Sequence, residues 1–277
     1  MELDLSTYFS EAFKIYKNPS QIARNVTEKW ASHNIFCPRC GLPLQSYGNN
    51  TKVNDFYCNH HEQDFQVLPI PSKDNFQLKS TKSFPHNHFP SIITGASYQT
   101  SLSSLEKGTF PSLILLHYDL GRKLVQDGLF IHRLSVTRNS IIKRVPLTKT
   151  ARRADWVGAN ILLDKIPEIW RIPVIQRTEI VPKKVVMDNW LSIEKILKGN
   201  LESRGWISEV MLLVERLPED FTLDDIYSFD SYLENLFPSN KHIRDKIRQQ
   251  LQLLRDRGYI KFVGRGRYQK LSRRLDF

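Results

Sequence analysis

Two short ligand pairs stand out in the first third of the chain: Cys37-Pro-Arg-Cys40 and Cys58-Asn-His-His61, each with two intervening residues and separated by 17. Such pairs each close a tight turn around a tetrahedral ion, and the intervening segment brings the second pair back to the first. Three thiolates and an imidazole favour Zn²⁺ over Mg²⁺, and four protein ligands leave no position for a substrate, so the site reads as structural. His60 is a neighbouring alternative to His61. A second constellation lies close by. Asp55 stands three residues before Cys58, and Phe76-Gln77-Leu78-Lys79 follows, alternating as a half-buried strand does, so that residues 77 and 79 share a face. An acid, an oxygen ligand and a lysine of this kind suit metal-assisted phosphodiester hydrolysis. Asp55 and Gln77 would hold Mg²⁺ for activating water, and Lys79 would orient that water or offset developing charge.

The elements that must position these groups follow from periodicity. Ile22, Val26 and Trp30 recur four apart after a Pro19-Ser20 start, which predicts a helix ending near Ala31. Short strands and turns are expected from Cys37 to Lys79, then a helix near Ala96–Leu105. Buried or half-buried strands are expected at Ser112–Tyr118, Leu129–Leu134 and Arg171–Gln176. Strands flanked by helices define an α/β (α+β) domain over residues 1–188. From 189 to 277 the pattern changes. Apolar sets at Val210–Leu217, Ile226–Leu236 and Ile243–Leu254 predict three helices. Tyr259–Val263, the turn Gly264-Arg265-Gly266-Arg267 and Tyr268–Leu271 then predict a hairpin. Three helices and a basic hairpin describe a winged helix.

Charge points the same way. Of the formal net charge of +11, residues 239–277 carry +9, from twelve Lys or Arg against three Asp. Concentration in one segment is the footprint of a polyanion-binding surface. Lys241, His242, Arg244 and Arg248 fall near the start of the third helix, the end that enters the major groove, and Arg265 and Arg267 sit on the wing. Composition excludes several classes. No apolar run approaches the roughly 20 residues of a membrane span, the amino terminus lacks a signal-peptide pattern, and three cysteines are too few for a secreted disulfide scaffold. A reducing cytoplasm is the expected compartment, with no membrane partner and a monomeric state in solution.

From about Ala23 to Leu271 the sequence resembles the DpnI-like methyl-directed (type IIM) restriction endonucleases. The likeness rests on Thr27-Glu28-Lys29-Trp30, the Cys37/Cys40 pair, Asp55-Phe56-Tyr57-Cys58-Asn59-His60 and Thr150-Ala151-Arg152-Arg153-Ala154-Asp155-Trp156. It continues through Ser203-Arg204-Gly205-Trp206, Ile247-Arg248-Gln249-Gln250-Leu251 and Gly264-Arg265-Gly266. The resemblance implies a PD-(D/E)XK nuclease domain with a structural zinc, a carboxy-terminal winged helix, and Mg²⁺-dependent double-strand cleavage of DNA at GATC carrying N6-methyladenine. Asp55 matches the family's metal-binding aspartate and Lys79 its catalytic lysine, whereas Gln77 replaces a glutamate and His61 the last zinc cysteine. About 14 residues around Gln66–Asn75 read as an insertion; the register Asp64-Phe65-Gln66 would put Leu68 in place of the lysine and is rejected. Glu28 is a further acid on the first helical segment, read as solvated. Arg152, Arg153 and Trp156 could form a methyl-reading surface, two cations for phosphate or guanine and an aromatic wall for one apolar group. Two rival readings stand beside the nuclease: a non-cleaving reader of adenine-methylated double-stranded DNA, and a zinc-containing winged-helix regulator indifferent to methylation.

Overall fold

The computed structural model describes residues 1–47, 54–72, 89–150 and 153–271. Helices α1 (Ser6–Ile15) and α2 (Pro19–Asn34) come first, followed by strands β1 (Gln45–Ser46), β2 (Phe56–Cys58), β3 (His61–Ser72) and β4 (Ile92–Ser97). Then come α3 (Tyr98–Glu106), β5 (Ser112–Asp119), β6 (Leu124–Ile131), β7 (Ile141–Lys143), β8 (Gly158–Leu162), β9 (Arg171–Gln176), β10 (Glu179–Ile180) and α4 (Lys183–Ile196). The carboxy-terminal part runs α5 (Leu201–Arg216), β11 (Asp220–Thr222), α6 (Leu223–Tyr227), α7 (Asp230–Leu236), α8 (Ile243–Asp256), β12 (Ile260–Gly264) and β13 (Arg267–Lys270).

Helix α2 forms where its sequence predicts. Asn18 caps it through Ser20 N, Pro19 occupies the first turn, and Ile22, Val26 and Trp30 fall on the buried face. That face lies on a seven-stranded mixed sheet of order β1-β2-β3-β5-β6-β9-β10. Only β3 and β5 run parallel, in register from Phe65 opposite Ser112 to Ser72 opposite Asp119. The near-continuous apolar sequence of β5 reflects burial on both faces, whereas β3 alternates in burial over Gln63–Val67. On one face Phe65, Val67, Ile114, Leu116 and Phe130 join Trp30 of α2 and Trp190 of α4. On the other, Leu68, Leu113, Leu115, Leu129 and Ile131 are covered by Leu105 of α3 and by Ile141 and Ile161 of a three-stranded sheet, β4-β8-β7.

The domain boundary expected after Asp188 falls inside α4. This helix belongs to the first domain, because the Trp190 ring packs at 6.0 Å from both Phe65 and Phe130 and at 4.3 Å from His132. The second domain has the expected helices and hairpin, with β11-β13-β12 as its small sheet. The apolar run Ile226–Leu236 is split between α6 and α7 instead of forming one helix. A reciprocal Thr222–Asp225 capping box starts α6, and the chain leaves helical hydrogen bonding around Ser228 and Phe229.

Helix α5 docks the two domains through a buried apolar face, with Trp206, Ile207, Val210, Leu213 and Val214 in the same core as Trp170 and Trp190, and through a set of buried polar contacts. Arg204 Nη1 donates to Leu134 O at 3.3 Å, Asn139 Nδ2 to Glu209 Oε1 at 3.1 Å, and Tyr232 Oη to Glu209 Oε2 at 2.8 Å. Glu215, at the end of α5, accepts from Ile169 N at 3.3 Å. Burial pushes its carboxyl up to about 7, with Arg171 pulling down and Glu168 pushing up. A carboxyl whose folded pKa is raised contributes stability that is complete below its unfolded value of about 4.5 and lost as pH rises through about 7. Glu215→Gln is therefore expected to unfold at a higher urea midpoint than the parent chain at pH 8, with the gain shrinking below pH 5. Equal midpoint differences at both pH values would place Glu215 outside that linkage.

Candidate metal centre and nucleic-acid interface

The thiols of Cys37, Cys40 and Cys58 lie within 4.8 Å of one another, with Cys40 Sγ and Cys58 Sγ 3.7 Å apart. Local hydrogen bonding builds the first turn: Gly41 N donates to Cys37 O at 2.7 Å and Cys37 N to Leu42 O at 2.8 Å, with Gly41 at φ +75°. The positive φ is what calls for glycine at position 41, since the nearest atom to a Cβ there, Lys183 Cε of α4 at 2.7 Å, belongs to the end of a flexible side chain. Cys58 arrives on β2, opposite His61 across the two-residue turn into β3. Burial pushes the Cys37 thiol up to about 12, so a soft cation that displaces the proton would stabilise a group otherwise neutral here. The donor set fits Zn²⁺.

The expected fourth ligand is not drawn in. His61 and His60 stand outside the thiol cluster, and His61 Nδ1 lies 3.5 Å from Arg39 Nη1. Arg39 in turn meets Glu194 of α4 at 3.3 Å. Glu194 also accepts from Gln63 Nε2 at 2.9 Å and Trp190 Nε1 at 3.1 Å, with His132 Nε2 at 3.5 Å. The cysteine turn is thus tied to the sheet through one carboxylate.

Asp55 enters just before β2 and is clamped to β3. Its N–H donates to Phe65 O at 2.9 Å, and its Oδ2 accepts from Val67 N at 2.8 Å. Asp55 is 9% exposed. Burial, then the neighbouring Glu28 carboxylate, pushes its carboxyl up to about 7, and the Val67 N–H and Arg24 act in the opposite direction. Glu28 of α2 neighbours Asp55, because Arg24, one turn earlier, pairs with Glu28 and with Asp55 Oδ1, the latter at 3.2 Å. Two hard oxygen donors therefore converge, and such a pair fits a divalent cation such as Mg²⁺. From sequence alone Glu28 reads as a solvated helix acid. The Arg24-x-x-x-Glu28 spacing shows that the two share a helix face, but only the fold shows that the face meets Asp55.

The strand that Asp55 grips carries Gln66 between Phe65 and Val67, with Leu68 two residues further on the same face by strand alternation. These are the residues of the rejected register. Gln77 and Lys79 lie outside the described residues, as does Arg152.

The remaining base-facing candidates are spread over three elements. Arg153 and Trp156 belong to the loop joining β7 to β8, where Leu147 N donates to Trp156 O at 3.0 Å. Trp156 is half-buried and lies over Gly158; a Cβ there would stand 2.9 Å from Trp156 Cζ3 and 3.0 Å from Arg144 Cδ. In the second domain α8 begins at Ile243, so Lys241 and His242 precede it, and Lys241 Nζ bonds Pro238 O at 3.2 Å. Arg244 pairs with Asp230 at 2.7 Å and sits 4.6 Å from the Tyr227 ring centroid, while Arg248 bonds Tyr227 Oη at 2.8 Å and Asp245. Arg265 and Arg267 are exposed on either side of Gly266, whose φ of +67° makes the turn.

A mixed α/β domain with a thiol cluster and a paired-carboxylate site, joined to a winged-helix domain, defines a two-domain protein of the DNA-acting kind. Residues 1–199 match the DpnI family, described as the Dam-replacing family, and residues 202–270 match the Dam-replacing HTH domain. The chain belongs to the DpnI, Dam-replacing family. Among the described residues no helix is long and apolar enough to cross a membrane.

If the three thiols hold zinc, the purified chain carries one Zn²⁺ by elemental analysis and Cys58→Ser carries almost none. The variant, or chelation of the parent chain, is expected to lower the urea midpoint, because metal binding free energy adds to folding. Equal zinc content in Cys58→Ser would contradict the assignment.

Proposed function

We propose that this protein is a Mg²⁺-dependent type II restriction endonuclease that makes double-strand breaks in DNA at N6-methyladenine-containing GATC. Family membership supports action on methylated DNA. The observation that carries the nuclease reading is the convergence of Asp55 and Glu28 at the edge of the parallel β3–β5 pair. Mg²⁺, when bound, would supply an activated water and offset charge on the phosphate and leaving oxygen. Asp55 would hold it through Oδ1, since Oδ2 is committed to Val67 N. Gln77 would supply a neutral oxygen and Lys79 the cation that orients water, both carried over from the resemblance. Cys37, Cys40 and Cys58 would hold a structural Zn²⁺ with His61 as fourth ligand. Arg152, Arg153 and Trp156 would read the methylated base from the first domain. Lys241, His242, Arg244, Arg248, Arg265 and Arg267 would bind the duplex from the second, with Arg244 and Arg248 first leaving their intramolecular partners. The compartment proposed is the cytoplasm and the free protein a monomer.

A second reading is favoured by one feature. The strand beside Asp55 presents Gln66 and Leu68, neither an acid nor a lysine, which suits a reader of adenine-methylated DNA that binds without cutting. Matched duplexes, one with N6-methyladenine in both strands of GATC and one unmethylated, separate the readings when incubated with Mg²⁺ or EDTA. The nuclease cuts the methylated duplex with Mg²⁺ only, and Asp55→Asn or Lys79→Ala lowers the rate by at least about 100-fold. Methyl-dependent mobility shifts without cleavage establish the reader. Tight binding indifferent to methylation would favour a winged-helix regulator and contradict both.

A further inference from the structure

Arg24 occupies an unusual place for an exposed helix arginine. Its side chain is 61% exposed, yet it pairs with both acids of the candidate metal site, Glu28 one turn ahead on α2 and Asp55 across the α2–sheet contact. The atom it takes on Asp55 matters. Oδ2 already accepts from Val67 N at 2.8 Å, so Oδ1 is the oxygen more open to a cation, and Oδ1 is the atom that Arg24 Nη2 contacts at 3.2 Å. We infer that Arg24 is a displaceable internal counter-ion that competes with the divalent cation for Asp55 Oδ1 and Glu28 and so sets the cation concentration at which the site fills.

Physical chemistry favours this role over a surface ion pair of small worth. Two carboxylates brought together, one of them buried, repel each other, and a guanidinium spanning both relieves that repulsion. A guanidinium and a hydrated divalent ion cannot share the same oxygen at contact distance. The arginine, anchored on an exposed helix face, can swing into solvent at little cost, whereas the clamped Asp55 cannot follow it. A guanidinium a few ångströms from a divalent ion opposes binding by about tenfold in affinity, even near the dielectric of water.

The inference rests on the metal reading given above, and its test separates the two. Zinc-loaded full-length protein is titrated with Mn²⁺ at about pH 8, where Asp55 is largely ionised, and free Mn²⁺ is counted by electron paramagnetic resonance. Arg24→Gln is expected to bind Mn²⁺ about tenfold more tightly than the parent chain, with Arg24→Lys, which keeps the charge, within about twofold of it. If the parent chain binds Mn²⁺, Asp55→Asn does not, and Arg24→Gln binds no more tightly than the parent, the counter-ion role is overturned and the metal site stands. If neither the parent chain nor Arg24→Gln binds Mn²⁺, the metal reading fails and this inference fails with it.

Discussion

Asp55 makes two hydrogen bonds to β3, one through its N–H to Phe65 O and one through Oδ2 from Val67 N. They fix the register of β2 against β3 at the point where β3 begins its parallel pairing with β5. A one-residue slip would turn Phe65 and Val67 away from Trp30 and Trp190 and toward the opposite face. The same two bonds hold the buried carboxylate in place, with Oδ2 taken up by Val67 N and Oδ1 turned to where Glu28 and Arg24 of α2 arrive. Fold and candidate chemistry thus share one constraint.

The thiol cluster and the winged helix are both fastened to this frame, by different means. Arg39, between the two cysteines of the first pair, is held by Glu194, and Glu194 also meets Gln63 of β3 and His132 beyond β6. Several charge-assisted bonds on one carboxylate make the cysteine turn part of the sheet. The winged helix docks through α5, whose Arg204, Glu209 and Glu215 are buried or largely buried among polar partners, while Trp206 stacks on Phe237 at 4.0 Å. The apolar face of α5 shares one continuous core with the first domain, so opening this interface exposes apolar surface as well as the polar pairs.

Much of this was legible in the sequence because the signals were local. The helical spacing of Ile22, Val26 and Trp30, the apolar run at Ser112–Tyr118, the Cys37/Cys40 turn and the basic carboxy-terminal hairpin each encode their element within a short window. What was not legible depended on distance. Trp190 lies beyond the expected boundary because its partners, Phe65 and Phe130, are on remote strands. Glu28 looked solvated because Asp55 is 27 residues away. That β3, carrying Gln66, pairs beside Asp55 is a tertiary fact no local pattern states, and Gln77 and Lys79 lie outside the described residues. The capping pair Thr222 and Asp225 marks only the start of α6, and the break around Ser228 and Phe229 carries no side-chain cap to announce it.

Asp55 and Glu28 are the proposed divalent-cation site beside β3. Crystals of the protein soaked in Mn²⁺, with data collected near the manganese absorption edge, test it directly. An anomalous peak is expected within about 2.3 Å of Asp55 Oδ1 and bonded to Glu28, directly or through one water, with the Arg24 guanidinium moved off both carboxylates. A map with no peak there at saturating Mn²⁺, and Arg24 still bridging the two acids, would contradict it.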